Sequence, residues 1–88
     1  MTIYLVSYDL NKPGQDYPNV VKAIKTYEYH CQILKSQWLV CSPKMAVDIY
    51  NHLRKHIDDT DRLLVCEFTK NAEGQLSQRV IQWINEYR

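Results

Sequence analysis

The 88-residue sequence predicts an α+β fold, a sheet of four strands crossed by two helices, with a third helix at the C-terminal end. Three observations carry that prediction. Short apolar runs suited to strands lie near residues 3–10, 29–41 and 62–68, stretches with helical periodicity separate and follow them, and turn or capping residues stand at the joins. A chain of this length makes one domain, 1–88, with a core over 1–69 and a helical extension over 75–88. Domains this small bury only about 60–65% of the surface their unfolded chain exposes, so a partner that adds area would stabilise the fold.

The first strand runs Ile3-Tyr4-Leu5-Val6-Ser7-Tyr8-Asp9-Leu10. Ile3 and Leu5 fall on one face and Tyr4, Val6 and Tyr8 on the other, which predicts a central strand covered on both sides. Asn11-Lys12-Pro13-Gly14 cuts it off and leaves Asp9 where core meets water. A carboxylate there can hold a hard cation or orient a hydroxyl; alternatively it accepts backbone N–H bonds from the following turn, as Asp commonly does.

Beyond the break, Val20, Val21, Ile24 and Tyr27 share one helical stripe, Lys22, Lys25 and Thr26 lie largely outside it, and Pro18 suits a first turn. This predicts a surface helix of roughly three turns. Tyr29 to Ile33 and Gln37 to Cys41 flank Leu34-Lys35-Ser36 and predict a hairpin, although no Asn-Gly type turn marks it. Ser42-Pro43 reads as a cap and first helical position, opening a second helix from about Pro43 to His56 with Met45, Ala46, Ile49, Tyr50, Leu53 and Ile57 on its apolar face. Asp58-Asp59-Thr60-Asp61 ends it before the strand Arg62 to Phe68.

Strand, helix, strand, strand, helix, strand is the split βαβ, ferredoxin-like pattern. Its two right-handed crossovers place the first and third strands at the centre and both helices on one face. The other face then needs a cover. One candidate is the tail, where Leu76, Val80, Ile81, Trp83, Ile84 and Tyr87 occupy one helical arc opposite Gln78, Arg79, Gln82 and Asn85, after the loop Lys70-Asn71-Ala72-Glu73-Gly74. The other is a second copy of the chain in a two-fold dimer, and both can operate together.

Composition excludes several classes. With 45% hydrophobic and 24% charged residues the chain is neither disordered nor collagenous. Eleven basic against ten acidic residues give a net charge of +1, which does not announce a nucleic-acid binder, although a local basic cluster fits inside a neutral total. Cys31, Cys41 and Cys66 sit in strand-like runs without a C-x-x-C pair and read as buried free thiols in a reducing compartment. No apolar run reaches the length of about 18 residues that a membrane span needs. Met1-Thr2-Ile3 leads into the first strand without a basic region or cleavage site, so the expectation is a cytoplasmic protein away from membranes.

Among other chemistry-bearing residues, His52 and His56 have a spacing that can put two imidazoles on one metal, against the blander reading of two half-exposed helix histidines. His30 would serve as a general base if it neared Asp9 across a dimer. Ser7 shares a strand phase with Asp9 and can bond a phosphate or the carboxylate, or it is simply small at a crowded two-fold contact. Tyr8 and Trp38 either stack on bases or belong to the core. Lys12, Lys22, Lys25, Lys35 and Lys44 form a phosphate-contacting rim or are scattered solvated charges.

Y-L-V-S-Y-D-L at 4–10, the K-P-G break, S-x-W-L-V at 36–40, the capped second helix and D-R-L-L-V at 61–65 carry a family resemblance. Over roughly residues 3–69 the chain resembles the SinR-like relatives of the CRISPR-associated protein 2 and virulence-associated protein D superfamily. The resemblance implies a ferredoxin-like homodimer with Asp9 near the two-fold axis. In nuclease members the matching acid is linked to divalent-metal-dependent cleavage of phosphodiester bonds in RNA or double-stranded DNA. The site then expected is Asp9 as catalytic acid and ligand to Mg²⁺ or Mn²⁺, Ser7 beside it, and Tyr8, Lys12 and Lys35 as nucleic-acid contacts. Mg²⁺ needs only one or two protein carboxylates besides water and phosphate, so two symmetry-related Asp9 side chains suffice. Other members act as DNA-bridging scaffolds, which gives the alternative of a non-catalytic dimer that binds nucleic acid or protein.

Overall fold

Strand β1 (Thr2–Asp9) supplies both faces of the sheet, with Tyr4, Val6 and Tyr8 buried on one side and Ile3 on the other. The computed structural model describes residues 1–11 and 17–88. After β1 come α1 (Tyr17–Ile24), β2 (Tyr29–Leu34), β3 (Gln37–Ser42), α2 (Ala46–Leu53) with a 3₁₀ turn at Arg54–His56, β4 (Arg62–Glu67) and α3 (Gln78–Tyr87). The four strands form one sheet in the order β2-β3-β1-β4, and every neighbouring pair is antiparallel. β1 and β3 therefore hold the inner positions.

Register decides which side chains share a face. Val6 stands opposite Trp38 and Val65, and Ser7 opposite Gln37 and Leu64. On the face of Tyr4, Val6, Tyr8, Trp38 and Val40 lie Val20, Ala23, Ile24 and Tyr27 from the α1 region and Ile49 and Leu53 from α2. The reverse face carries Ile3, Cys31, Leu39 and Cys41, and α3 lays Val80 and Ile84 on them, with Trp83 and Tyr87 at the margin. The tail thus packs on its own chain. Its Tyr87 ring lies 4.9 Å from that of Tyr29, and Arg79 donates to the Gln32 carbonyl at 3.2 Å.

Fully burying an aliphatic side chain contributes about 1.5–3 kcal/mol, so Val80 and Ile84 together stabilise by several kcal/mol, a large share of what a small domain has. α3 is for that reason an integral layer. It does not extend over the whole face: Leu5 and Cys66 are half-buried, and Leu64 is 57% exposed.

Local details differ from the sequence expectation. α2 begins at Ala46 and not at Pro43, because Ser42 ends β3 and spends its hydroxyl on the Lys44 N–H at 3.1 Å, forming a turn. The helix start is held instead by the Asp48 carboxylate, which accepts the Met45 N–H at 3.2 Å. Met45 and Tyr50, at 68% and 40% exposure, lie off the apolar face assigned to them, and Ile81 likewise turns toward solvent on α3. α1 is eight residues long. Tyr27 lies beyond it but still packs, its backbone N–H donating to the Ile24 carbonyl at 3.1 Å. The hairpin turns through Lys35 and Ser36 alone, and a register shift between Gln32 and Leu34 bulges β2 at Ile33. The Lys12-Pro13-Gly14 break lies outside the described residues. Among the described residues, no helix is long and apolar enough to cross a membrane.

Candidate functional site at the rim of the sheet

Asp9 closes β1 opposite Arg62, the first residue of β4, and is exposed. Strand alternation places it on the face of Ser7, which is the face that α3 covers only in part. Gln37 donates its amide N–H to the Ser7 hydroxyl at 3.2 Å and fixes that oxygen beside the rim. The Tyr8 N–H donates to the Ser36 carbonyl at 3.1 Å, which draws the hairpin turn, and with it the exposed Lys35, to the same end of the sheet. Two clefts meet at Asp9. One is lined by Ser7, Tyr8, Asp9, Arg62, Leu63 and Leu64, the other by Asp9, Leu10, Asn11, Thr60 and Arg62.

The carboxylate itself is uncommitted: among the described residues, no hydrogen bond or ion pair engages the Asp9 side chain. Arg62 is its cross-strand neighbour, yet that guanidinium donates to the carbonyls of Asp61 at 3.1 Å and Thr60 at 3.4 Å. The turn-holding role open to Asp9 from sequence is performed by Asp61. Asp61 is buried at 7% exposure and accepts the Asn11 N–H at 2.7 Å and the Asp58 N–H at 2.8 Å. In the sequence alone, Asp61 has no role beyond the Asp58-Asp59-Thr60-Asp61 stretch that ends the second helix. The three-residue spacing between Asp58 and Asp61, characteristic of side-chain-to-backbone turns, was the available signal.

The remaining expected site residues divide. Ser7 and Lys35 join Asp9 at the rim. Tyr8 does not offer a stacking surface: it is 5% exposed in the helix-facing core, where its hydroxyl accepts the Trp38 indole N–H at 3.3 Å. Lys12 lies outside the described residues. His30 is on the outer strand β2, opposite Val40 on the helix-facing side, with Nδ1 bonded to the Tyr27 carbonyl at 2.8 Å, so within one chain it cannot serve Asp9. Burial pushes the Cys41 thiol up, more than the N-terminal charge draws it down, which keeps that sulfur protonated and unreactive near neutral pH.

No protein family, curated protein or solved structure matches the chain.

What the rim can do follows from its own groups. Among the described residues, no three His, Cys, Asp or Glu side chains gather as a metal cluster. Among the described residues, Asp9 is the one carboxylate lining these clefts, too few for an all-protein cage. A lone carboxylate is a donor of the kind that Mg²⁺ or Mn²⁺ accepts, as hard cations that keep several waters and need one or two carboxylates.

Proposed function

We propose that the chain is a ferredoxin-like module that works as a two-fold dimer and hydrolyses phosphodiester bonds in RNA or double-stranded DNA, as a small nuclease of the CRISPR-associated or toxin-like kind. Support for the fold name comes from the strand order with β1 and β3 inside and from α1 and α2 packing on one face. Support for dimerisation comes from the half-covered face, where Leu5, Leu64 and Cys66 leave apolar surface beside Asp9 for a copy to bury. The observation that carries the activity is the Asp9 carboxylate, which ends an inner strand without a partner among the described residues.

In this reading Asp9 from each protomer would hold Mg²⁺ or Mn²⁺, which when bound would supply an activated water and neutralise charge on the phosphoryl oxygens. Ser7, its hydroxyl oriented by Gln37, is placed to hydrogen-bond a phosphate oxygen or a water near Asp9. Lys35, at the same end of the sheet, contributes positive charge toward the backbone of the nucleic acid. A second reading is a non-catalytic dimer that binds nucleic acid or protein. It is favoured by the described lining of the two clefts, which sets no second carboxylate and no imidazole beside Asp9.

Labelled RNA and duplex DNA incubated with the purified protein separate the two. Cleavage that needs Mg²⁺ or Mn²⁺, stops with EDTA and falls at least about a hundred-fold in Asp9→Ala is the expected result, on the scale of losing a metal-held transition-state contact. Unfolding midpoints of that variant should match the parent, since an exposed carboxylate contributes at most about 0.5 kcal/mol. Cleavage unchanged in Asp9→Ala overturns the assignment, and a gel shift without turnover selects the scaffold.

A further inference from the structure

We infer that His52 and His56 form a two-imidazole site for a borderline divalent transition ion such as Zn²⁺, Ni²⁺ or Cu²⁺, separate from the oxygen-lined rim at Asp9. The two residues stand four apart, His52 in the last turn of α2 and His56 at the end of the 3₁₀ turn that continues it, so both project from one side. Their ring centroids are 5.8 Å apart and the planes meet edge to face at 88°. Two imidazole nitrogens bound to one tetrahedral ion at about 2.0–2.1 Å place their ring centroids roughly 5 Å apart. A small side-chain rotation closes the difference.

Tyr27 completes the arrangement. Its hydroxyl lies 2.9 Å from His52 Nδ1. A metal ion on Nε2 would put the ring proton on Nδ1, where it would donate to the phenol oxygen, the kind of support that metal-bound histidines commonly have behind them. Tyr27 is buried, at 9% exposure, so this hydrogen bond anchors the ring to the core. Burial and then the neighbouring charges of His56, Lys44 and Lys55 hold His52 below the usual imidazole range. The two lysines oppose a dication. Asp48, one turn before His52 and close enough to add to the burial that pushes up the Tyr27 hydroxyl, opposes them in turn. Nitrogen donors favour Zn²⁺, Ni²⁺ and Cu²⁺ over Mg²⁺ and Mn²⁺, and water fills the remaining positions.

Calorimetric titration of the metal-free full chain with NiCl₂, paired with NMR of the imidazole protons, tests the site. One ion per chain at micromolar affinity is expected, with paramagnetic broadening of His52 and His56 but not of His30, and no competition from excess Mg²⁺. His56→Gln should weaken binding at least about ten-fold, and Tyr27→Phe about ten-fold through the lost support behind the ring. Absence of saturable Ni²⁺ binding, broadening centred on His30, or an affinity unchanged in His56→Gln overturns the site. Circular dichroism of each variant confirms the fold, and His56→Gln alone decides should Tyr27→Phe unfold.

Discussion

Asp61 Oδ1 accepts the backbone N–H of Asn11 at 2.7 Å, joining the entry of β4 to the exit of β1 across fifty residues of chain. The second oxygen takes the Asp58 N–H, so one buried side chain closes its own turn and secures the segment just after Asp9. The backbone leaving the rim is thus tied down from the neighbouring turn.

Asp61→Ala should lower stability by about 3 kcal/mol, because hydrogen bonds to a charged group contribute about 1.5–3 kcal/mol each and two amides lose their acceptor. Asp61→Asn keeps an acceptor for one of them and should lose about half as much. Urea unfolding measures both. An Asp61→Ala midpoint equal to the parent's would show that water replaces the carboxylate without penalty.

Ile84→Ala should destabilise by about 2–4 kcal/mol, the range for deleting a buried aliphatic side chain from a packed site. Ser77 caps α3 by accepting the Val80 N–H at 3.4 Å, and Ser77→Ala should lose about 1 kcal/mol or less. Truncation before Ser77 leaves Ile3, Leu39 and Cys41 wet and should abolish cooperative thermal unfolding monitored by circular dichroism.

In metal-free buffer, stability should fall as the pH drops from 7 toward 5. Burial, His56, Lys44 and Lys55 lower the His52 pKa in the folded state, so below about 6.5 the unfolded chain takes up the proton first and is favoured. The loss levels off once the pH passes the folded-state value. Subtracting the profile of His52→Gln from that of the parent isolates this contribution, and parallel profiles would contradict it.

Leu64→Asp should convert the proposed dimer to monomer in sedimentation equilibrium while leaving the unfolding midpoint nearly unchanged, because Leu64 is 57% exposed within the single chain. A variant that remains dimeric moves the interface off this face.

Much of the architecture was legible in residue periodicity. Ile3 and Leu5 against Tyr4, Val6 and Tyr8 announced a strand buried on two sides, and the Leu76 to Tyr87 arc offered one of two candidate covers, the one that α3 provides. Helix starts were less legible: Ser42-Pro43 has the chemistry of a cap, but a neighbouring strand and turn claimed Ser42, and Asp48 served the helix from inside. At the site, the exposure of Asp9 was readable from the end of an apolar run. That its carboxylate has no described partner was not, since only the fold reveals that Asp61 serves the turn instead. Tyr8 misled for the same reason, because alternation alone does not say which face holds the indole of Trp38.

The three sulfurs lie at graded depth on one face, with Cys31 and Cys41 buried under α3 and Cys66 half-buried beyond its reach. A maleimide reagent would therefore find Cys66 in the folded chain and reach the inner pair only when the C-terminal layer lifts. The protein thus carries its own footprinting clock, able to time the opening of that layer without an added probe.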